Sequence, residues 1–252
     1  MTQSIGNYFY QNWTFWAFVV AALALLLSQL PPLSDLLRRA KLDLEVYSRI
    51  LVTHKVGNPN IGLQLIISNI GGKTIRIRGA TVTLKCDGKH IASLPAQNYL
   101  SSPTDPKLTV LFTAFSLRPR EDWNHMVNFL NFFSREDEKI YRRAESAIKN
   151  DIFKKLAESE GKAKIVEADE EDVKPFIDMH KAFFIWHPGE YEMYISIDVI
   201  PRRAAIEKKF RFTIFESDSD DLAKSLDEYK FGDGIYWSSD RPKGIIVPIL
   251  EA

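Results

Sequence analysis

Ile61-Gly-Leu-Gln-Leu-Ile-Ile-Ser-Asn-Ile-Gly-Gly-Lys-Thr-Ile-Arg-Ile-Arg-Gly-Ala-Thr-Val-Thr-Leu-Lys85 carries the signal that decides the fold. Leu63, Leu65 and Ile67 fall on one face of a period-2 strand, Asn69 to Gly72 has turn chemistry, and Ile75 and Ile77 resume the alternation. Ala80, Val82 and Leu84 then alternate in the opposite phase, with Gly79 at the slip. A glycine at a phase slip inside a strand predicts a bulge or sharp bend. Asp87-Gly88 predicts a tight hairpin that returns the chain through Lys89 to Leu94.

Upstream, Leu42, Leu44 and Val46 alternate with Asp43 and Glu45, and Ile50 to Thr53 extend that strand to a turn at Gly57-Asn-Pro-Asn60. Further upstream, Trp13 to Leu30 holds no charged residue and would reach roughly 27 Å as a helix, which predicts a transmembrane helix over 13–30. Tyr8, Tyr10, Trp13 and Trp16 crowd one end as an interfacial belt would, and Pro31-Pro32 stop the run. The first twelve residues lack Lys and Arg, and no small-residue cleavage pattern follows, so a secretory signal is disfavoured.

Residues 31–41 read as a juxtamembrane basic link, with Arg38, Arg39 and Lys41 facing headgroups and membrane lipid as the implied partner. The positive-inside rule then places 1–12 as a short extracytoplasmic tail and the C-terminal domain in the cytoplasm, at the cell (inner) membrane. Ala17, Ala21, Ala24 and Ser28 form a stripe of small residues, the pattern through which membrane helices associate into homo-oligomers.

Downstream, Pro95 to Lys107 reads as a polar loop and Leu108 to Leu117 as an apolar strand. From Glu121 to Gly161 the apolar spacing becomes three and four, which predicts two helical pieces broken near Ser134, where Ser134 and Asp137 fit a capping box. Glu167 to Asp172 is an acidic link. Strands return at Lys181 to Trp186 and after Pro188-Gly189, where Tyr191, Met193, Ile195, Ile197 and Val199 share a face. Phe210, Phe212 and Ile214 mark a half-buried strand, and Asp218 to Tyr229 a short helix capped near Ser219 or Asp220. Gly244 to Leu250 is a last strand that Pro248 assigns to an edge.

About seven short alternating strands predict a mainly β domain over 42–252, with a helical insertion at about 119–172. Leu63 to Leu84, with Ser68 to Gly72 between strands, resembles an early strand pair of immunoglobulin-like bacterial adhesion-type domains. Trp186-His-Pro-Gly-Glu-Tyr191 is similar to their late-strand entry, where a corner tyrosine bonds back to the backbone. The resemblance covers Leu42 to Leu94 and Lys181 to Ile214. It implies an antiparallel β-sandwich, and a role in binding or spacing rather than catalysis.

Chemistry-bearing motifs are sparse. There is no phosphate loop, no G-x-S-x-G and no H-E-x-x-H. Asp178, His180 and His187 lie close in sequence, but their spacing matches no standard metal or acid–base site, so no cofactor is expected. Ser217 to Asp221 lacks the glycine and closing glutamate of a calcium loop. Cys86 is the single cysteine, which excludes an intrachain disulfide. Lys and Arg together number 33, as do Asp and Glu, so the zero net charge argues against nucleic acid as a partner despite the basic-aromatic run from Lys208 to Phe212.

Trp123, Met126, Phe129, Leu130 and Phe133 form the most apolar stretch of the insertion and are the expected docking face for a protein partner. The sequence thus predicts a membrane-anchored, non-enzymatic binding or scaffolding protein that holds a partner at the cytoplasmic face. The alternatives are an extracytoplasmic membrane-anchored ligand-binding module, or a membrane-tethered hydrolase or metal-dependent enzyme using the region of Asp178, His180 and His187.

Overall fold

The computed structural model describes residues 13–29, 38–101, 108–159, 165–235 and 244–252. Its centre is one antiparallel sheet wound into a nearly closed barrel. Strands β1 (Leu42–Lys55), β2 (Asn58–Asn69), β3 (Ile75–Cys86) and β4 (Lys89–Leu100) come first, followed by the short β5 (Thr109–Leu111) and β6 (Phe115–Leu117). Then come β7 (Asp122–Leu130), β8 (Gly189–Ile200), β9 (Ile206–Ile214), β10 (Gly244–Pro248) and β11 (Leu250–Glu251). The helices are α1 (Trp13–Gln29), α2 (Arg135–Glu158), α3 (Glu170–Phe183), α4 (Glu216–Ala223) and α5 (Ser225–Glu228).

The sheet runs β10-β1-β2-β7-β4-β3-β8-β9-β11, and two strands turn its corners. The first part of β4 pairs with β3, from Cys86↔Lys89 to Thr81↔Pro95, and its second part pairs with β7 from Ala96 to Tyr99. The last strand does the same at the opposite corner. Its first half pairs with β1 (Leu51↔Ile246) and its second with β9 (Leu250↔Arg211), and Ile249 N–H donates to Ser48 O at 2.9 Å in between. A strand shared by two sheet portions joins them into a ring, so the expected immunoglobulin-like sandwich is replaced by a barrel. Pro248 accordingly lies at the corner of a closing strand and not on a free edge.

The period-2 pattern packs this ring. Leu63, Leu65, Ile67, Ile75, Ile77, Val82 and Leu84 are fully buried, and so are Met193, Ile195 and Val199 from β8. The phase slip has its cause in register: β3 pairs Ile77 with Val199 but Gly79 with Asp198, so Arg78 is the bulged residue, and it reaches Asp198 at 2.7 Å. Asp87 and Gly88 both take positive φ, as a tight hairpin turn requires. Trp186 is fully enclosed and donates from its ring to Thr53 O at 3.0 Å. The Tyr191 hydroxyl donates back to the backbone at His187 O (2.7 Å) and Ile185 O (2.8 Å), so the corner tyrosine occurs here in a barrel.

Several expected elements differ. Residues 122–130 form a strand, paired along its length with β2, and not a helix. β4 runs through Pro95 to Leu100, where a loop was expected, and Leu108 to Leu117 is split into β5 and β6. The acidic segment before residue 173 is the start of α3, which continues past Lys181 to Phe183 where a strand was expected. The second helical piece is present as α2, and Ser134 caps it by accepting from Asp137 N–H at 3.1 Å. α4 starts at Glu216, where the Asp218 carboxylate accepts from Phe215 N–H at 3.1 Å, earlier than the expected cap.

The transmembrane reading is also corrected. The helix Trp13–Gln29 has 17 residues, a rise of about 25 Å against a hydrocarbon core of about 30 Å. Among the described residues no helix is long and apolar enough to cross a membrane. The single-pass topology, with its extracytoplasmic N-terminus and cytoplasmic domain, loses its basis with the span. Leu30, the tail 1–12 and residues 31–37 of the link lie outside the described residues.

Candidate functional site

The chain folds a second, smaller core beside the barrel. Val56, Tyr141, Ala144, Ile148, Ile152, Val173, Phe176, Met179 and Tyr229 bring α2, α3 and the turn after α5 onto the β1–β2 turn. On α2 the buried positions Tyr141, Ala144, Ile148 and Ile152 recur every three or four residues, so one stripe faces this core. Tyr141 stacks on Phe176 at 5.3 Å, and Phe176 meets Tyr229 edge-on at 5.6 Å. Gly57 sits where a side chain has no room: its φ is +81°, and a Cβ would come within 2.6 Å of His180 O. The helix α3 therefore lies directly against the β1–β2 turn.

Between this core and the barrel end lies a cavity of about 500 Å³. Its apolar wall includes Val56, Leu130, Phe132, Phe133 and Tyr141, and its polar wall includes Lys55, Asn60, Glu138, Glu145 and Asp233. A smaller cavity adjoins it across Phe132 and Phe133. Phe132 is 74 % exposed and stands between the two. Asn60 has its Oδ1 shut off from solvent with no hydrogen-bond partner among the described residues.

The histidine and tyrosine side chains around the cavity are held by internal bonds. His54 Nδ1 accepts from Gly57 N–H at 3.1 Å, which leaves the proton on Nε2 to be donated to Leu222 O at 2.9 Å. Both ring nitrogens are thus engaged. The Tyr141 hydroxyl donates to Gly234 O at 2.6 Å, and burial with the nearby Glu145 raises its phenol well above the ordinary range. His180 is buried on the far side of His54, with ring centroids 4.9 Å apart, and accepts from the Tyr229 hydroxyl on Nδ1 at 2.7 Å. Burial, with His54 adjacent, lowers the His180 imidazole to about 4. It is a neutral core histidine at ordinary pH.

The residues expected from sequence to form an acid–base site do not converge. Asp178 and His187 are exposed, His180 is buried, and two residues apart on α3 Asp178 and His180 project differently. No group of three or more metal-ligating side chains occurs among the described residues. Cys86 is half-buried beside Gly189, and burial raises its thiol.

The expected docking face is divided between four places. Phe129 is fully buried in the barrel, because on strand β7 it alternates inward with Val127. Trp123 joins an aromatic cluster in which it stacks on Phe115 at 4.9 Å, near Tyr99, Phe112 and His125. Met126 lies on the opposite face of β7, half-buried against Gly62. Only Leu130 and Phe133 line the cavity. Ala17, Ala21, Ala24 and Ser28 are all exposed on α1, and the Ser28 hydroxyl bonds its own helix at Leu25 O. Arg38, Arg39 and Lys41 are exposed as well, while the Arg39 carbonyl accepts from Gly72 N–H at 3.3 Å.

Sequence reasoning missed the cavity because its walls come from residues 53–60, 130–145 and 225–235, none of which carries a ligand-binding motif. No family model matches the chain, and no curated protein matches it. Among solved structures it is similar to one described as a protein from Archaeoglobus fulgidus, at 8% identity over 69% of this chain and 94% of that one. The TM-score is 0.27, an overlap from which nothing about this chain's site follows.

Proposed function

We propose that this chain is a non-enzymatic binding protein and that its ligand occupies the cavity between the barrel end and the helical core. The observation that carries this reading is the pairing of a 500 Å³ aromatic-walled space with a histidine and tyrosines already committed to structural bonds. A cavity of that size encloses a small organic molecule. His54, Tyr141 and the Tyr229–His180 pair hold the fold together, so they are poorly placed to move protons to and from a bound substrate. Binding therefore fits the geometry better than turnover.

The test uses the full chain and Nile red, a neutral dye that brightens in apolar surroundings. Leu130→Trp, which fills the cavity from β7, should weaken dye binding at least about tenfold. Ile246→Ala, on the barrel exterior, should leave it unchanged. Equal binding by the wild type and the Leu130→Trp variant would overturn the reading.

A further inference from the structure

We infer that the cavity selects a ligand with an apolar body and an ammonium group, and that Lys55 occupies the ammonium seat until the ligand displaces it. The inference rests on the cavity being a binding site and adds the class of molecule that it takes.

The first support is a count of donors and acceptors on the wall. Several hydrogen-bond donors of the wall are engaged internally: Asn58 Nδ2 on Asn131 O (2.8 Å), Asn131 Nδ2 on Ser93 O (2.9 Å), Tyr141 on Gly234 O, and His54 on Leu222 O. Acceptors remain. Glu138 and Glu145 line the cavity and are reached from the exposed side by one guanidinium, Arg142, at 2.7 and 3.6 Å, and Glu145 also accepts from the Tyr141 hydroxyl at 3.3 Å. Each carboxylate offers about four lone-pair sites, more than one arginine fills. A ligand that brings donors and positive charge matches this surplus, and one that brings acceptors does not.

The second support is Lys55 itself. Its Nζ sits 4.1 Å from the centroid of the Tyr141 ring, so the cavity already holds one ammonium on an aromatic face. The side chain is exposed and flexible, and it can swing to solvent without disturbing either core. An ammonium-bearing ligand would take over that ring face and place its apolar part against Phe133 and Leu130.

Three probes of matched size separate the alternatives by calorimetric titration of the full chain: phenethylammonium, 2-phenylethanol and 3-phenylpropanoate. Phenethylammonium should bind about tenfold more tightly than the alcohol, with the carboxylate weakest. Lys55→Met keeps the aliphatic stem and removes the competing charge, so it should strengthen phenethylammonium binding several-fold. Glu138→Gln with Glu145→Gln should weaken it about tenfold, and a thermal melt of each variant checks that the fold persists.

Preference for 3-phenylpropanoate, with its loss in Lys55→Met, would overturn the inference by making Lys55 the ligand's counter-ion. Equal affinity for all three probes would overturn it too, while Nile red binding that is lost in Leu130→Trp would leave the binding reading standing. If the dye itself ignores the cavity, both readings fall together.

Discussion

The barrel and the helical core beside it bury their side chains by different means. The barrel interior is mostly aliphatic, with rings such as Phe129 and Trp186 in the minority, and its strands alternate so regularly that Leu44, Ile61, Leu63, Leu65 and Ile67 are wholly enclosed. The helical core is aromatic and threaded with polar groups: Tyr141, Phe176, Tyr229 and His180 pack through ring contacts and hydroxyl bonds at set distances. Aliphatic packing against two neighbouring strands leaves little space. Flat rings fixed by directional bonds leave gaps between them, and the cavity lies along that flank. One region closes on itself and the other leaves a cavity.

The largest expected effect tests the barrel. Trp186→Ala removes a fully buried ring and its bond to Thr53, and should lower stability by about 3–5 kcal/mol in denaturant titration. A loss under about 1 kcal/mol would mean that this interior is looser than the contrast requires.

An acid titration tests the helical core. The His180 imidazole sits near 4 in the folded chain against an ordinary 6.5, so the unfolded chain binds more protons between those values. Its contribution is fully present above about pH 6.5 and is lost as pH falls toward 4, on the order of 3 kcal/mol in all. The groups that face it are His54, Tyr229 and Asp233. Hydrogen exchange should show α3 and the Tyr229 turn loosening before the barrel strands. His180→Phe should flatten that part of the pH profile, and an unchanged profile would break the assignment.

The smallest expected effect has the opposite sign. Asn60→Leu removes a shielded acceptor that has no partner among the described residues, and should stabilise the empty protein by about 1 kcal/mol. Destabilisation of similar size would place Asn60 in the structural framework and not among the ligand-facing groups.

The same contrast explains what could be read from the sequence. Leu63 to Leu84 disclosed strands, turn and bulge because a two-residue period and one glycine slip are local signals. β7 was misread because Trp123, Met126, Val127 and Leu130 satisfy helical spacing, while Trp123, His125, Val127 and Phe129 satisfy the strand period equally well. Only pairing with β2 decides between them. α3 was hidden by Pro175 and by the acidic residues of its first turn, although Val173, Phe176, Ile177 and His180 carry the helical period. The ring itself was illegible: a strand that changes partners at Ala96 or Ile249 looks locally like any other strand. The cavity was further out of reach, since it exists only once three distant segments meet.

The closing strand sets an order of events for biogenesis. Leu51 meets Ile246 and Arg211 meets Leu250, so the seam joins β1 and β9 to strands that follow both of them in the chain. During synthesis the flanks of β1 and β9 stay bare until β10 and β11 have left the ribosome. Long-range pairing of this kind is slow, and bare strand flanks invite other chains. A nascent polypeptide stalled before residue 244 should be the most aggregation-prone species that this gene product passes through.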